Sequence, residues 1–109
     1  MSEQIPEMDV FQLARLMEAG RPPRLVDIRQ PEEFAWCRLP GAELIPLLQL
    51  PESLGLLDPE EELVILCHTG ARSLTAARYL AGRGFARVWS LAGGIQRWSL
   101  VVDPSVPTY

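Results

Sequence analysis

Leu63-Val64-Ile65-Leu66-Cys67-His68-Thr69-Gly70-Ala71-Arg72-Ser73-Leu74 reads as a buried strand, a short loop with a glycine in its middle, and the opening of a helix near Ser73. Its first four residues are apolar without alternation, the pattern of a strand covered on both faces in a parallel sheet. Leu25-Val26-Asp27-Ile28 and Val88-Trp89-Ser90-Leu91 have the same character, Glu43-Leu44-Ile45 is a shorter run, and Gln4-Ile5 is a terminal one. Helical signals lie between them. Asp9 with Gln12 three residues on resembles a capping box, followed by Val10, Leu13, Ala14 and Met17 on one face and Gly20 as the stop. Pro31, Glu32 and Glu33 suit a first helical turn, where proline needs no N–H and carboxylates meet the positive end of the helix. The stretch from Ser73 to Arg83 is rich in Ala, Leu and Arg and stops at Gly84, and a last helix begins near Gly94 and buries Ile95 and Trp98. The stretch from Leu47 to Glu62, interrupted by Pro51, Gly55 and Pro59, predicts a short helix plus a loop. Strands alternating with helices predict an α/β domain with helices on both faces of the sheet.

A chain of 109 residues with 48% apolar content suits one domain over residues 1–109, with a core of about residues 4–101. The tail, residues 102–109, contains Pro104 and Pro107 and is expected to be extended. Ten basic residues against fourteen acidic ones give a net charge of −4, which argues against a nucleic-acid or anionic-membrane partner. No uncharged apolar run approaches the roughly 18 residues of a membrane span. Met1-Ser2-Glu3-Gln4 has neither the basic nor the apolar segment of a secretory signal, so a cytoplasmic, monomeric protein is expected. All ten basic residues are arginines, and Lys and Asn are absent, which fits either a codon bias toward G and C or a thermophilic source. Two cysteines are too few for a disulfide framework. With a single histidine there is no zinc spacing, and Asp58-Pro59-Glu60-Glu61-Glu62 reads as a solvated loop, so no metal is expected. No phosphate-binding glycine motif is present, and no nucleotide cofactor is expected. Trp36, Trp89 and Trp98 read as packing residues.

The chemistry concentrates in the loop. Ligands of open α/β sheets bind beyond the carboxyl ends of the strands, where Cys67 stands. The next helix offers unpaired N–H groups and a positive dipole end, and a loop curling round the sulfur aims further N–H groups at it. Such a setting lowers a thiol's usual pKa of about 8.5, so Cys67 is expected to be a nucleophilic thiolate rather than an inert buried thiol. Gly70 allows the torsions of a tight cradle, Arg72 supplies charge and paired donors for an anion, and Ser73 is expected to cap the helix. His68 and Thr69 shape the rim, with Ala71 between the glycine and the arginine. Asp27 and Arg29 either line the pocket or form an ion pair that supports it, the second being the favoured reading, and Glu33 caps or braces. A bulky Gly70→Val side chain is expected to damage activity while leaving Cys67 in place.

Four segments in order now resemble the rhodanese-like sulfurtransferases over about residues 5–100. Leu25 to Arg29 resembles the family's Asp-x-Arg strand end. Glu33-Phe34 with Leu39-Pro40-Gly41-Ala42 resembles the approach to the third strand. Cys67 to Ser73 is similar to the active-site loop of single-domain members, and Leu91-Ala92-Gly93-Gly94-Ile95 with Trp98 to the closing signature. The resemblance implies five mostly parallel strands and sulfur transfer in two halves. The Cys67 thiolate takes the outer sulfur of thiosulfate or another persulfide donor, and cyanide or a thiol then removes it from the resulting persulfide. The implied partners are small sulfur-containing anions and thiols, with a sulfur-acceptor protein as a further one.

Cys37 and Arg38 depart from the Gly-His usual at those places, which puts the local turn in doubt; Cys37 is either a shielded structural residue or a partner for a disulfide with Cys67. Phosphatases and arsenate reductases of the same fold are the nearest rivals. The phosphatase loop is one residue longer than the four, His68 to Ala71, found here, and about 3.5 Å of extra chain matters in so small a cradle. A non-catalytic interaction module would typically lack the cysteine. A sulfur relay for cofactor or tRNA thiolation would share the loop and differ in its acceptor, and Asp103 to Pro107 is similar to the ends of domains fused to adenylyltransferases.

Overall fold

The structure is a computed structural model that describes residues 5–109, so the Gln4 half of the expected terminal strand lies outside them. The chain runs β1 (Glu7–Met8), α1 (Val10–Glu18), β2 (Arg24–Asp27), α2 (Pro31–Trp36), β3 (Glu43–Leu44), a 3₁₀ helix (Leu47–Leu56), β4 (Leu63–Leu66), α3 (Ala71–Gly82), β5 (Val88–Leu91) and α4 (Gly94–Val101). The five strands form one wholly parallel sheet in the order β1-β5-β4-β2-β3. The terminal strand pairs Glu7 and Met8 with Ser90 and Leu91, two residues beyond Ile5.

Central β4 has all four residues buried, because alternate side chains enter different layers. Leu63 and Ile65 pack with Ala76, Ala77 and Leu80 of α3 and with Leu50 of the 3₁₀ helix. Val64 and Leu66 pack with Val10 and Leu13 of α1 and with Ile95 and Trp98 of α4. Helices therefore cover both faces, as expected, and the sheet is sandwiched between two apolar layers. Each fully buried Leu or Ile contributes about 1.5–3 kcal/mol, far more than a short parallel strand gains from its own pairing. No helix among the described residues is long and apolar enough to cross a membrane.

The order of the strands positions the site. From β2 the chain moves outward to β3, then returns to β4 and moves the opposite way to β5, so the reversal falls between β2 and β4. Crevices open at such reversals, beyond the carboxyl ends of the strands. Asp27 and Leu66 are register partners, and the Ile28 N–H donates to Leu66 O at 3.0 Å, so Ile28 and Cys67 leave the sheet side by side, with Arg29 one residue further on.

Several expectations are corrected. Helix α3 begins at Ala71, with Gly70 as its N-cap, so Ser73 lies inside the first turn and caps nothing. Asp9 does cap α1, accepting the Phe11 N–H at 2.7 Å. Cys37 ends α2 with φ −160 and ψ 151, extended backbone that needs no glycine, which removes the doubt about the turn. It packs in the α1–α4 layer while Cys67 belongs to the α3 layer, and both thiols are free. Trp36 is 65% exposed and is not a packing residue, unlike buried Trp98. The tail turns instead of extending: the Asp103 carboxylate accepts both the N–H and the hydroxyl of Ser105, Val106 is buried, and the Ser99 hydroxyl donates to Val106 O. This fold-back carries Tyr109 to the Cys67 loop.

Candidate active site

Gly70 at the N-cap of α3 has no side chain, so a first-turn N–H would lack the acceptor that a Ser or Asp cap provides. The Cys67 sulfur takes that place. It accepts the Ser73 N–H at 3.3 Å and the Gly70 N–H at 3.1 Å. Two amides and a helix N-terminus thus converge on one sulfur, which is 1% exposed. The thiol lies 3.4 Å from Ser73 Oγ, which donates to Gly70 O and shares a 2.8 Å hydrogen bond with Ser90 Oγ. Both serines are fully buried. Hydroxyls rotate, so this pair can turn a donor toward the sulfur when the sulfur bears charge.

Helix α4 holds the loop from the other side. Ile95 N–H donates to Cys67 O at 2.9 Å and Gln96 N–H to His68 O at 3.0 Å. In a planar trans peptide the N–H opposes the C=O, so tying these carbonyls to α4 turns the amides of His68 and Thr69 away from it. Gly70 has φ +106, and a Cβ there would lie 3.3 Å from Gly93 N. Gly70→Val is therefore expected to lower any activity that uses the Cys67 sulfur by roughly two orders of magnitude, since misplacing one preorganised donor typically costs about that much. Steady-state kinetics beside thermal melting checks this: activity must fall far more than stability.

Arg72 does not present its donors to the sulfur. Nη1 and Nη2 donate to the two Glu33 carboxylate oxygens at 3.0 and 3.1 Å. Glu33 also accepts the Gln30 N–H at 3.0 Å, capping α2, and the Tyr109 hydroxyl at 2.8 Å. Arg72's hydrogen bonds, with those of Gln30 and Tyr109 behind them, outweigh burial and hold the Glu33 carboxyl down at about 2. Its contribution to stability is full above the ordinary value of 4.5 and is lost as the pH falls through about 2. The Arg72 guanidinium is raised, first by Glu33 and to a smaller extent by Cys67 and Tyr109.

Asp27 and Arg29 form the ion pair rather than the pocket wall. Both are fully buried, with Arg29 Nε and Nη2 within 3.0 and 2.7 Å of the carboxylate. Arg29 also donates to Cys37 O at 2.6 Å and to the Tyr109 hydroxyl at 2.7 Å. The Tyr109 ring stacks on His68 with centroids 3.9 Å apart. Burial first, and Glu33 as well, push its phenol up to about 12, so it stays a hydrogen-bond donor at neutral pH. Thr69 is exposed on the loop, and Ala71 is exposed as the first residue of α3.

The sequence reading missed Ser90 and Tyr109 of this assembly, and the partner of Glu33. Ser90 left a signal, a hydroxyl inside an otherwise apolar strand. Glu33 was read as a brace without its partner. Tyr109 left none, because only the turn of the tail brings it here.

A model of the "Rhodanese-like domain" matches residues 9–100. The chain is 35% identical over 95 residues to a sulfurtransferase of Allochromatium vinosum, covering 87% of this chain and 89% of that protein. It is 42% identical over 90 residues to the chloroplastic rhodanese-like/PpiC domain-containing protein 12 of Arabidopsis thaliana, covering 79% of this chain but only 30% of that relative. Among solved structures, the human single-domain sulfurtransferase TSTD1 superposes with a TM-score of 0.81 at 28% identity, covering 90% of this chain and 98% of that one.

Proposed function

Because this chain belongs to the rhodanese-like domain family, we propose that Cys67 carries a sulfane sulfur, as a persulfide, from thiosulfate or a thiol-bound persulfide to cyanide, a thiol or a sulfur-acceptor protein. The observation that carries this reading is the sulfur seated on the Gly70 and Ser73 amides at the end of β4. Amides preorganised in a dry site stabilise negative charge without having to reorient, and they serve a persulfide as well as a thiolate. With thiosulfate, the Cys67 thiolate attacks the outer sulfur, the S–S bond breaks, and sulfite leaves with the bonding pair. The acceptor then attacks the outer sulfur of the persulfide and returns Cys67 to the thiolate. Neither half needs a general base, which suits a site whose one histidine stacks on a tyrosine.

Mass spectrometry of the intact protein tests this directly. Thiosulfate or an alkyl persulfide is expected to add one sulfur atom at Cys67, cyanide to remove it, and Cys67→Ser to abolish it. Hydrolysis of a phosphate ester with no such adduct would transfer the site to the phosphatase class.

A further inference from the structure

The guanidinium beside the sulfur is occupied. Arg72 spends two donors on Glu33, at 3.0 and 3.1 Å, and Glu33 is held in turn by the Tyr109 hydroxyl at 2.8 Å. Arg29 and His68 fix Tyr109 from two further sides, at 2.7 Å to its hydroxyl and 3.9 Å between ring centroids. The paired charges offset one another, so a doubly charged anion approaching Cys67 meets a guanidinium whose Nη1–Nη2 edge is taken and a carboxylate at short range. The open cleft next to the pair, about 290 Å³, is lined by Glu32, Glu33, Trp36 and Tyr109, which adds negative charge and aromatic surface.

We propose that Glu33, locked by Tyr109, is a donor-selectivity residue that keeps Arg72 from dianions and tilts the enzyme from thiosulfate toward thiol-bound persulfides, which react in their protonated form RSSH. The inference rests on Cys67 being the sulfur carrier. With a persulfide RSSH, the Cys67 thiolate attacks the terminal sulfur and the S–S bond breaks. The thiolate RS⁻ leaves with the bonding pair, and the proton stays on the transferred sulfur. No charge on the donor has to be matched by Arg72, so the Glu33 lock costs this donor nothing.

Glu33→Gln is the discriminating variant, because glutamine at this position still accepts the Gln30 N–H that caps α2. In a Cys67→Ser background, where no chemistry occurs, calorimetric titration of thiosulfate is expected to show about tenfold tighter binding once Glu33→Gln is added, with the gain shrinking as salt rises. Tyr109→Phe, which keeps the ring on His68 and drops the hydroxyl, is expected to act in the same direction by a smaller factor. With Cys67 intact, Glu33→Gln should lower KM for thiosulfate while KM for ethyl persulfide stays within about twofold. Unchanged or weaker thiosulfate binding in both variants, or equal shifts for both donors, overturns the proposal. If no donor loads Cys67, the sulfur-carrier reading fails separately, while the binding titration still decides what Glu33 does.

Discussion

Gly94→Ala is expected to destabilise the protein by about 2–6 kcal/mol and to remove sulfur transfer with it, the sum of a strained backbone and an overpacked contact. Gly94 has φ +61, and a Cβ built there lies 2.5 Å from both Cys67 O and His68 O and 2.7 Å from His68 C. All three are backbone atoms, so no side chain can rotate away. The loop would have to shift, and the bonds that hold it, from Ile95 and Gln96 to the same two carbonyls, would go first. Against a total stability of about 5–15 kcal/mol this is a large fraction. Thermal denaturation should show Tm lower by at least about 8 °C. A variant that melts with the parent and transfers sulfur at the parent's rate would show that α4 does not hold the loop.

Removing one half of the buried ion pair is the second large effect. Asp27→Ala is expected to cost about 3–5 kcal/mol, because it leaves the Arg29 guanidinium fully buried with its charge uncompensated. The double variant Asp27→Leu, Arg29→Met should recover much of that loss, since apolar residues of similar volume often replace a buried pair at little cost. It should not recover activity to the same degree. Arg29 also holds Cys37 O and the Tyr109 hydroxyl, and the Tyr109 ring stacks on His68 of the Cys67 loop. Urea denaturation and transfer kinetics on the two variants separate these roles. A loss under about 1 kcal/mol for Asp27→Ala would mean that water reaches the pair, and recovery of full activity in the double variant would remove Arg29 from the support of the loop.

The opposite signs of expected change around Cys67 follow from one geometry. Residues that aim amides at the sulfur, or that hold the loop carrying them, lose activity when altered. Glu33 takes donors away from the neighbourhood of the sulfur, so its removal improves the binding of an anion.

Local signals were sufficient where one short segment carried all the information. Leu63–Leu66 and Val88–Leu91 are strands at the expected residues because uninterrupted apolar runs must be covered on both faces. The site loop was legible for the same reason: Cys67, Gly70 and Ser73 are close along the chain, and a strand end followed by a helix start brings their sulfur and amides together by local geometry. The position of α3 was less so. With glycine as the cap, the acceptor that begins the helix is a sulfur three residues upstream, which no capping pattern describes.

What the sequence by itself determined is the parallel sheet, the helices on its two faces and the cysteine at the carboxyl end of a buried strand, all consequences of patterns that a few residues express. Tertiary structure alone decided who partners the charges. Arg72 meets Glu33 across 39 residues and Tyr109 reaches Glu33 across 76, and both contacts exist only because the sheet sets α2 beside α3 and the tail turns back at Asp103. Such pairs leave no periodicity along the chain, since a hydrogen bond between side chains depends on their separation in space and not on their spacing in sequence.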